Sequence, residues 1–169
     1  MNSTLLYNIL RFVGLLLLQV FVMDQVNFAG YICPIIYVLF IVLYPINNNR
    51  WSFLIIAFLI GLIVDAFQDT GGAHAAASLT LAFIRPVLLQ LIYGQGYLTK
   101  NLKLSRSPLD RFALLLVLSI IVHHLMLFCL IFFNISQVLQ VLQMTLFTGL
   151  SSIFMGIILF ILFGMRSKS

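Results

Sequence analysis

The sequence predicts an all-α polytopic membrane protein with six transmembrane helices, and three observations support this. Hydrophobic residues make up 63% of the 169 residues and charged residues only 8%, against about half and about a quarter in soluble domains. The apolar residues form continuous runs close to the ~17–25 residues that a helix needs to cross a bilayer. These runs lack the alternation of transmembrane β-strands. Little sequence remains for a water-soluble part, so we expect one membrane domain over residues 1–169.

Six apolar segments follow one another along the chain. The first holds Arg11 but no small-residue cleavage site after its apolar run, which favours a retained helix over a signal peptide. The second and third are short for a full span, and the sixth is long enough to require tilt. The predicted helices cover about residues 5–23, 28–44, 51–68, 74–93, 112–133 and 138–163.

The basic residues predict which side of the membrane each connection faces. With six helices, eight of the nine Lys and Arg residues fall on the side of the two termini, and the connections on the other side hold none. The positive-inside rule therefore predicts cytoplasmic N- and C-termini. The net charge of +5 follows from this topology and calls for no nucleic-acid partner. The eight residues are Arg11, Arg50, Lys100, Lys103, Arg106, Arg111, Arg166 and Lys168.

A basic cytoplasmic loop over residues 94–111 joins the fourth and fifth predicted helices. One interpretation is a solvated loop close to anionic lipid, which attracts juxtamembrane Lys and Arg. The other is a docking surface for a cytoplasmic partner. The candidate contacts in either case are Lys100, Lys103, Arg106 and Arg111.

The third and fourth helices form a hairpin that carries an acidic and a basic residue well inside apolar sequence. Asp65 follows fourteen mostly apolar residues, and Arg85 lies deep within the next run. A charge near the bilayer centre costs at least a few kcal/mol, so such residues usually face the protein interior and have a role. Arg85 has two interpretations: an internal polar contact that reaches towards Asp65, and snorkelling towards the cytoplasmic interface. Pro86 frees a mid-helix carbonyl that an arginine or water can satisfy.

Other residues of the hairpin are predicted to form its turn or to begin a helix. Gly71 and Gly72 mark the turn, and a polar helix end near water is one interpretation of Asp69 and His74. A metal site from Asp65, Asp69 and His74 has no recognised ligand spacing. The sequence has no phosphate-binding loop, cofactor motif or nucleophile beside a base. We therefore expect no catalytic residue, no metal and no cofactor.

Two adjacent histidines lie midway along the fifth helix. His123 and His124 point about 100° apart if the segment is helical, so at most one faces a given neighbour. A packed core histidine is therefore favoured over a ligand.

Small residues recur on one face of the sixth helix and at the start of the fourth. Thr148, Ser152 and Gly156 form a small-xxx-small row, and Ala77 belongs to an alanine-rich stretch. Such rows let helices approach closely in lipid. They indicate either packing within this chain or contact with the helix of a partner.

The hairpin resembles the signature region of MreD, the integral membrane protein of the bacterial rod-shape machinery. The family pattern is a Gly-Leu pair, an Asp one turn later, a Gly-bearing turn and a helix that starts with small residues. The size of the chain and its six predicted spans also agree with this family. The matching residues are Gly61, Leu62, Asp65, Gly71, Gly72 and the alanines at 75–77. The stretches His74-Ala75-Ala76 and Phe83-Ile84-Arg85-Pro86 further resemble one subgroup of the family.

The resemblance implies a non-enzymatic protein of the bacterial inner membrane. MreD-like proteins partner an MreC-type bitopic protein and, through it, MreB filaments and the elongation glycosyltransferase and transpeptidase, which direct lateral peptidoglycan synthesis. The family also resembles in fold the substrate-binding S components of energy-coupling-factor vitamin transporters, which supply the alternative function. Those components usually carry alanine rows on the first helix, whereas residues 5–23 here contain one Gly and no Ala.

The charge distribution generates a test of topology. Alkaline phosphatase is active only outside the cytoplasm, so a fusion after Lys103 should be inactive and a fusion after Asn134 active. Cell fractionation should recover both fusions in the membrane at similar levels. The reverse activities would contradict the six-helix topology.

Overall fold

The computed structural model describes residues 3–26, 32–46, 49–97 and 104–164, and these parts of the chain are helical with short connections. Five helices in these ranges are long and apolar enough to cross a membrane, in agreement with an all-α, multi-pass membrane protein. Short 3₁₀ helices span Met23–Gln25, Gln95–Tyr97, Leu104–Arg106 and Ile135–Gln137. The α-helices are α1 (Ser3–Phe21), α2 (Val38–Leu43), α3 (Arg50–Gln68), α4 (Ala73–Tyr93), α5 (Leu109–Phe132) and α6 (Val138–Gly164).

Five of the six predicted segments coincide with α1, α3, α4, α5 and α6 to within a few residues. The second segment differs, because the helix predicted over 28–44 is α-helical only in α2, and residues 33–36 have no regular structure. Pro34 contributes to this difference, since it has no N–H to donate and disfavours a helical conformation at the residue before it. Residues 28–31 of the predicted helix lie outside the described ranges.

Helix α2 occupies the centre of the bundle. Neighbours α3 and α4, α4 and α5, and α5 and α6 pack in antiparallel pairs, while α1 packs against α3 and α2. The central helix contacts α1, α4 and α5, and its residues Val38–Val42 are all buried. Irregular backbone at membrane depth is tolerated only where protein or a water-filled cavity surrounds it. The central position of α2 therefore follows from the break that precedes it.

The α3–α4 hairpin is packed closely at Gly61. A Cβ added to Gly61 would lie 2.4 Å from the carbonyl oxygen of His74 and 2.6 Å from the Cα of Ala75. Only a glycine at this position lets the first turn of α4 lie directly against α3. The connection that brings α4 back uses left-handed backbone, with φ of 61° at Gly71 and 96° at Gly72, where glycine is the favoured residue.

The close approach at Gly61 predicts a specific stability effect. Gly61→Ala should lower the thermal stability in detergent by about 1–3 kcal/mol, because backbone rather than a flexible side chain meets the new methyl group. Gly14→Ala is the matched control, since a Cβ at Gly14 in α1 meets nothing within 4 Å. The melting temperature of each variant is measured by heating the protein and determining the folded fraction by size-exclusion chromatography. Equal melting temperatures for the two variants would contradict the packing described here.

Candidate functional site

The backbone groups of the buried segment before α2 form hydrogen bonds with side chains of other helices. The backbone N–H of Ile36 donates to Oε1 of Gln19 at 2.7 Å, and Nε2 of Gln19 donates to the carbonyl of Pro34 at 3.2 Å. The N–H of Ile35 donates to Oγ of Ser152 at 2.8 Å. Gln19 lies in α1 and Ser152 in α6, so both edges of the bundle hold this segment in place.

Two arginines bind the carbonyl groups at the C-terminal end of α2. Arg85 donates from Nε and Nη2 to the carbonyl of Val42, at 3.3 and 3.1 Å, and from Nη2 to the carbonyl of Tyr44. Arg11 donates from Nη1 to the carbonyl of Leu43 at 2.9 Å. The last carbonyls of a helix have no partners within it and carry partial negative charge. The guanidinium groups therefore supply both the missing donors and the complementary charge.

Arg85 also lies over an aromatic ring at the same level. Its Cζ is 5.1 Å from the centre of the Phe53 ring, within the range of a cation–π interaction. The Arg85 side chain is 4% exposed, so it does not snorkel to the surface. Pro86 lies inside α4 beside it, and the partners of Arg85 are carbonyls of the α2 segment rather than the one that Pro86 frees.

Asp65 caps the N-terminus of α4 from the neighbouring helix. Its Oδ1 accepts from the N–H of His74 at 2.9 Å and from the hydroxyl of Thr70, and its Oδ2 accepts from the N–H of Ala75 at 2.8 Å. The first N–H groups of a helix have no intrahelical acceptor and favour a negative charge. Asp65 is 5% exposed, and these three donors replace the water that a buried carboxylate loses.

Of the two interpretations of Arg85, the structure agrees with an internal polar contact, but its partners are carbonyl groups and not Asp65. Asp65 bonds to the start of α4. Arg85 lies twelve residues after Ala73, the first residue of α4, and bonds to the end of α2. Each charge is satisfied by the free backbone groups at a helix end. Neither needs the other as a partner.

A tyrosine hydroxyl joins α2 to two histidines in the middle of the bundle. Oη of Tyr37 lies 2.9 Å from Nδ1 of His74 and 2.8 Å from Nε2 of His123, with Oγ of Ser78 at 3.4 Å. All four side chains are buried. A hydroxyl has one proton to donate, so at least one of the two histidines donates its N–H to Tyr37. This arrangement cross-links α2, α4 and α5.

The adjacent histidines of α5 serve different neighbours, as the helical geometry predicts. His123 contacts Tyr37, while Nε2 of His124 lies 3.1 Å from Oγ of Ser152 in α6. The polar-helix-end interpretation is wrong for His74, which is 2% exposed, whereas Asp69 is exposed. His74 is buried because Gly61 brings the first turn of α4 against α3.

The small residues proposed as a surface for a partner helix face the interior instead. Thr148, Ser152 and Ala77 are buried, and a Cβ added to Gly156 would lie 2.9 Å from Cδ2 of Leu116 in α5. Intramolecular packing is the interpretation that agrees with the structure. The row lies inside because its small residues allow α6 to pack closely against Leu116 of α5 and Leu39 of α2.

The basic loop is described in part. Lys100 and Lys103 lie outside the described residues, and Arg106 and Arg111 are exposed. The α4–α5 connection also contains a hydrogen bond of 2.7 Å between the hydroxyl of Tyr93 and Oγ of Ser107.

Several residues of the buried network were not identified from the sequence. Tyr37 and Gln19 were missed, as was Asp24, whose Oδ1 accepts from Nε2 of Gln19 and from Nε2 of Gln68, each at 2.8 Å. The available signal was a polar side chain isolated in or beside an apolar run, which in lipid must find a partner within the protein. Cys33 also lies in this cluster, with Sγ 3.1 Å from the carbonyl of Met23.

No protein-family model, curated protein or solved structure matches this chain. In the described parts of the chain, no group of three or more His, Cys, Asp or Glu residues is placed to hold a metal ion. The polar side chains of the network bond to the backbone of the α2 segment, to the start of α4 and to one another. This arrangement determines the shape of the bundle.

The Asp65 cap predicts unequal effects for the two aspartates of the hairpin. Asp65→Ala should lower stability by about 1–3 kcal/mol, because it leaves buried N–H groups of α4 without an acceptor. Asp69→Asn is the matched control: Asp69 is exposed and has φ of 54°, a left-handed conformation that asparagine also tolerates. Melting temperatures in detergent measure the difference. A wild-type melting temperature for Asp65→Ala would show that the cap does not stabilise the fold.

Proposed function

We propose that this chain is a non-enzymatic membrane scaffold of the MreD type. It acts in the bacterial inner membrane as a regulator of cell shape and binds an MreC-type bitopic protein. Through that partner it couples MreB filaments, and the elongation glycosyltransferase and transpeptidase, to lateral peptidoglycan synthesis.

One observation carries the proposal: the residues that resemble the MreD signature share a structural task in this chain. Gly61 admits the first turn of α4, Asp65 caps that turn, and Gly71 and Gly72 form the connection. The backbone of His74 and Ala75 makes the close approach to Gly61. A motif whose members depend on one another in this way is more specific than the same residues scattered through apolar sequence.

The distribution of polar side chains agrees with a scaffold. The buried polar groups are largely bonded within the chain, so the surface offered to a partner in the membrane is mainly apolar. Helices α1 and α6 bury the smallest share of their length among the five spanning candidates. On α6 the residues Leu142, Leu146, Leu150 and Phe154 are exposed and follow one another at four-residue spacing. Because the Thr148–Ser152–Gly156 row faces inward, this outer ridge is the surface of α6 that a partner helix can reach.

The proposal is tested by co-expression with an MreC-type protein from the same genome. We expect the two proteins to co-purify in mild detergent, and depletion of this chain to convert rod-shaped cells into round ones. A photo-crosslinking residue at exposed Leu150 should form an adduct with the partner, whereas the same residue at buried Leu116 should not. Ile55, an exposed position on α3, shows whether contact is confined to α6.

Failure to co-purify, together with normal cell shape after depletion, would overturn the proposal. Retention of a vitamin by the purified chain, with vitamin uptake that depends on it, would support the alternative of a transporter S component. Adducts at Ile55 instead of Leu150 would keep the function and move the contact surface to α3.

A further inference from the structure

A groove of about 400 Å³ opens between α1 and α6, and side chains of α2 line its base. It exists because α1 packs against α2 and α3 while α6 packs against α5. Its volume lies within the ~300–1,000 Å³ of small-molecule sites. We propose that this groove binds one acyl chain of an anionic phospholipid, with the phosphate of the headgroup on Arg11. This proposal does not depend on the proposed partnership with an MreC-type protein.

The lining of the groove suits a hydrocarbon chain. Leu10 and Gly14 of α1, Leu39 of α2, and Leu159 and Phe160 of α6 form most of its walls. A Cβ at Gly14 would meet nothing within 4 Å, so this glycine leaves open space in the wall of α1. An apolar chain that fills the space gains dispersion contacts with these side chains.

Charge determines which amphiphile fits. Of the described residues that line the groove, Arg11 is the one charged residue, and no carboxylate is among them. The guanidinium spends one hydrogen bond on the carbonyl of Leu43, and it has five N–H donors in all. Donors therefore remain for a phosphate, which arginine binds in a bidentate manner.

The Arg11 side chain also extends towards the depth at which a lipid headgroup lies. Its Cζ lies 4.5 Å from the centre of the ring of Tyr7, which is one helical turn nearer to the N-terminus of α1. Side chains of Arg near a helix end extend in this way to the headgroup region while their carbon atoms stay among apolar groups. Ser105, from the α4–α5 connection, lines the same groove and adds a hydroxyl.

The size of the groove favours a lipid chain over a partner helix as its occupant. A spanning helix of ~20 residues and ~10 Å diameter has a volume on the order of 2,000 Å³. The groove holds about 400 Å³, which is several-fold too small for a helix but accommodates one extended chain.

Lipid retention by the purified full-length chain tests the proposal. The protein in mild detergent is incubated with equal amounts of phosphatidylglycerol and phosphatidylcholine of the same acyl composition, and bound lipid is measured by native mass spectrometry. We expect the wild type to retain phosphatidylglycerol about fivefold over phosphatidylcholine, the preference that one arginine near the headgroup supplies. Arg11→Gln should bring this ratio close to one. Gly14→Leu should reduce retention of both lipids, because the new side chain occupies the groove.

Matched variants separate this site from general attraction to lipid. Arg50→Gln removes an exposed arginine at the start of α3, and Val13→Leu enlarges an exposed residue of α1 that does not line the groove. Both should retain lipid like the wild type. Melting curves establish that each variant is folded, and Gly14→Leu tests the groove even if the loss of Arg11 unfolds the chain.

Any of four results would overturn the proposal. The first is equal retention of the two lipids by the wild type. The second is loss of the preference in Arg50→Gln to the same extent as in Arg11→Gln. The third is unchanged retention by Gly14→Leu. The fourth is an adduct between a photo-crosslinking residue at Gly14 and the helix of a partner protein.

Discussion

The fold depends on satisfying the backbone of a non-helical segment at membrane depth. Lipid offers no hydrogen-bond partners, so every N–H and C=O group of the irregular stretch before α2 needs a donor or acceptor from the protein. Gln19 and Ser152 bond to this stretch, and Arg11 and Arg85 bind the carbonyls at the other end of α2. These partners come from α1, α4 and α6. These hydrogen bonds hold α2 in the centre of the bundle, where all three helices can reach it.

The α3–α4 hairpin applies the same chemistry to a second helix end. The first N–H groups of α4 are buried against α3, because Gly61 lets the two backbones approach within van der Waals distance. This closeness removes water from the start of α4 and makes an acceptor on α3 necessary. Asp65, one turn after Gly61, is that acceptor. Gly61 and Asp65 thus act together to fix the start of α4, and this places His74 in contact with Tyr37.

Because most buried polar side chains bond within the chain, they are not available to bind other molecules. A chain whose buried arginine, aspartate and histidine side chains are bonded to its own backbone and side chains has few of them left to recognise a partner within the membrane. Recognition must then rely on the shape of apolar surfaces and on charge near the headgroups. The outer ridge of α6 and the groove beside Arg11 are surfaces of these two kinds.

Sequence alone determined the class of the protein and the positions of α1, α3, α4, α5 and α6, because a long apolar run is a local property and the bilayer sets its length. It also singled out Asp65 and Arg85, since a charge in such a run must have a partner, and Gly61 as part of the hairpin motif. It did not decide that the segment over 28–44 leaves the helical conformation, because Pro34 is compatible with a kinked helix and the hydrogen-bond partners of the segment are distant in sequence. Nor could it show which way the Thr148–Ser152–Gly156 row faces. In lipid, both the buried and the exposed face of a helix are apolar, so only the packing of α6 on α5 and α2 decides the direction.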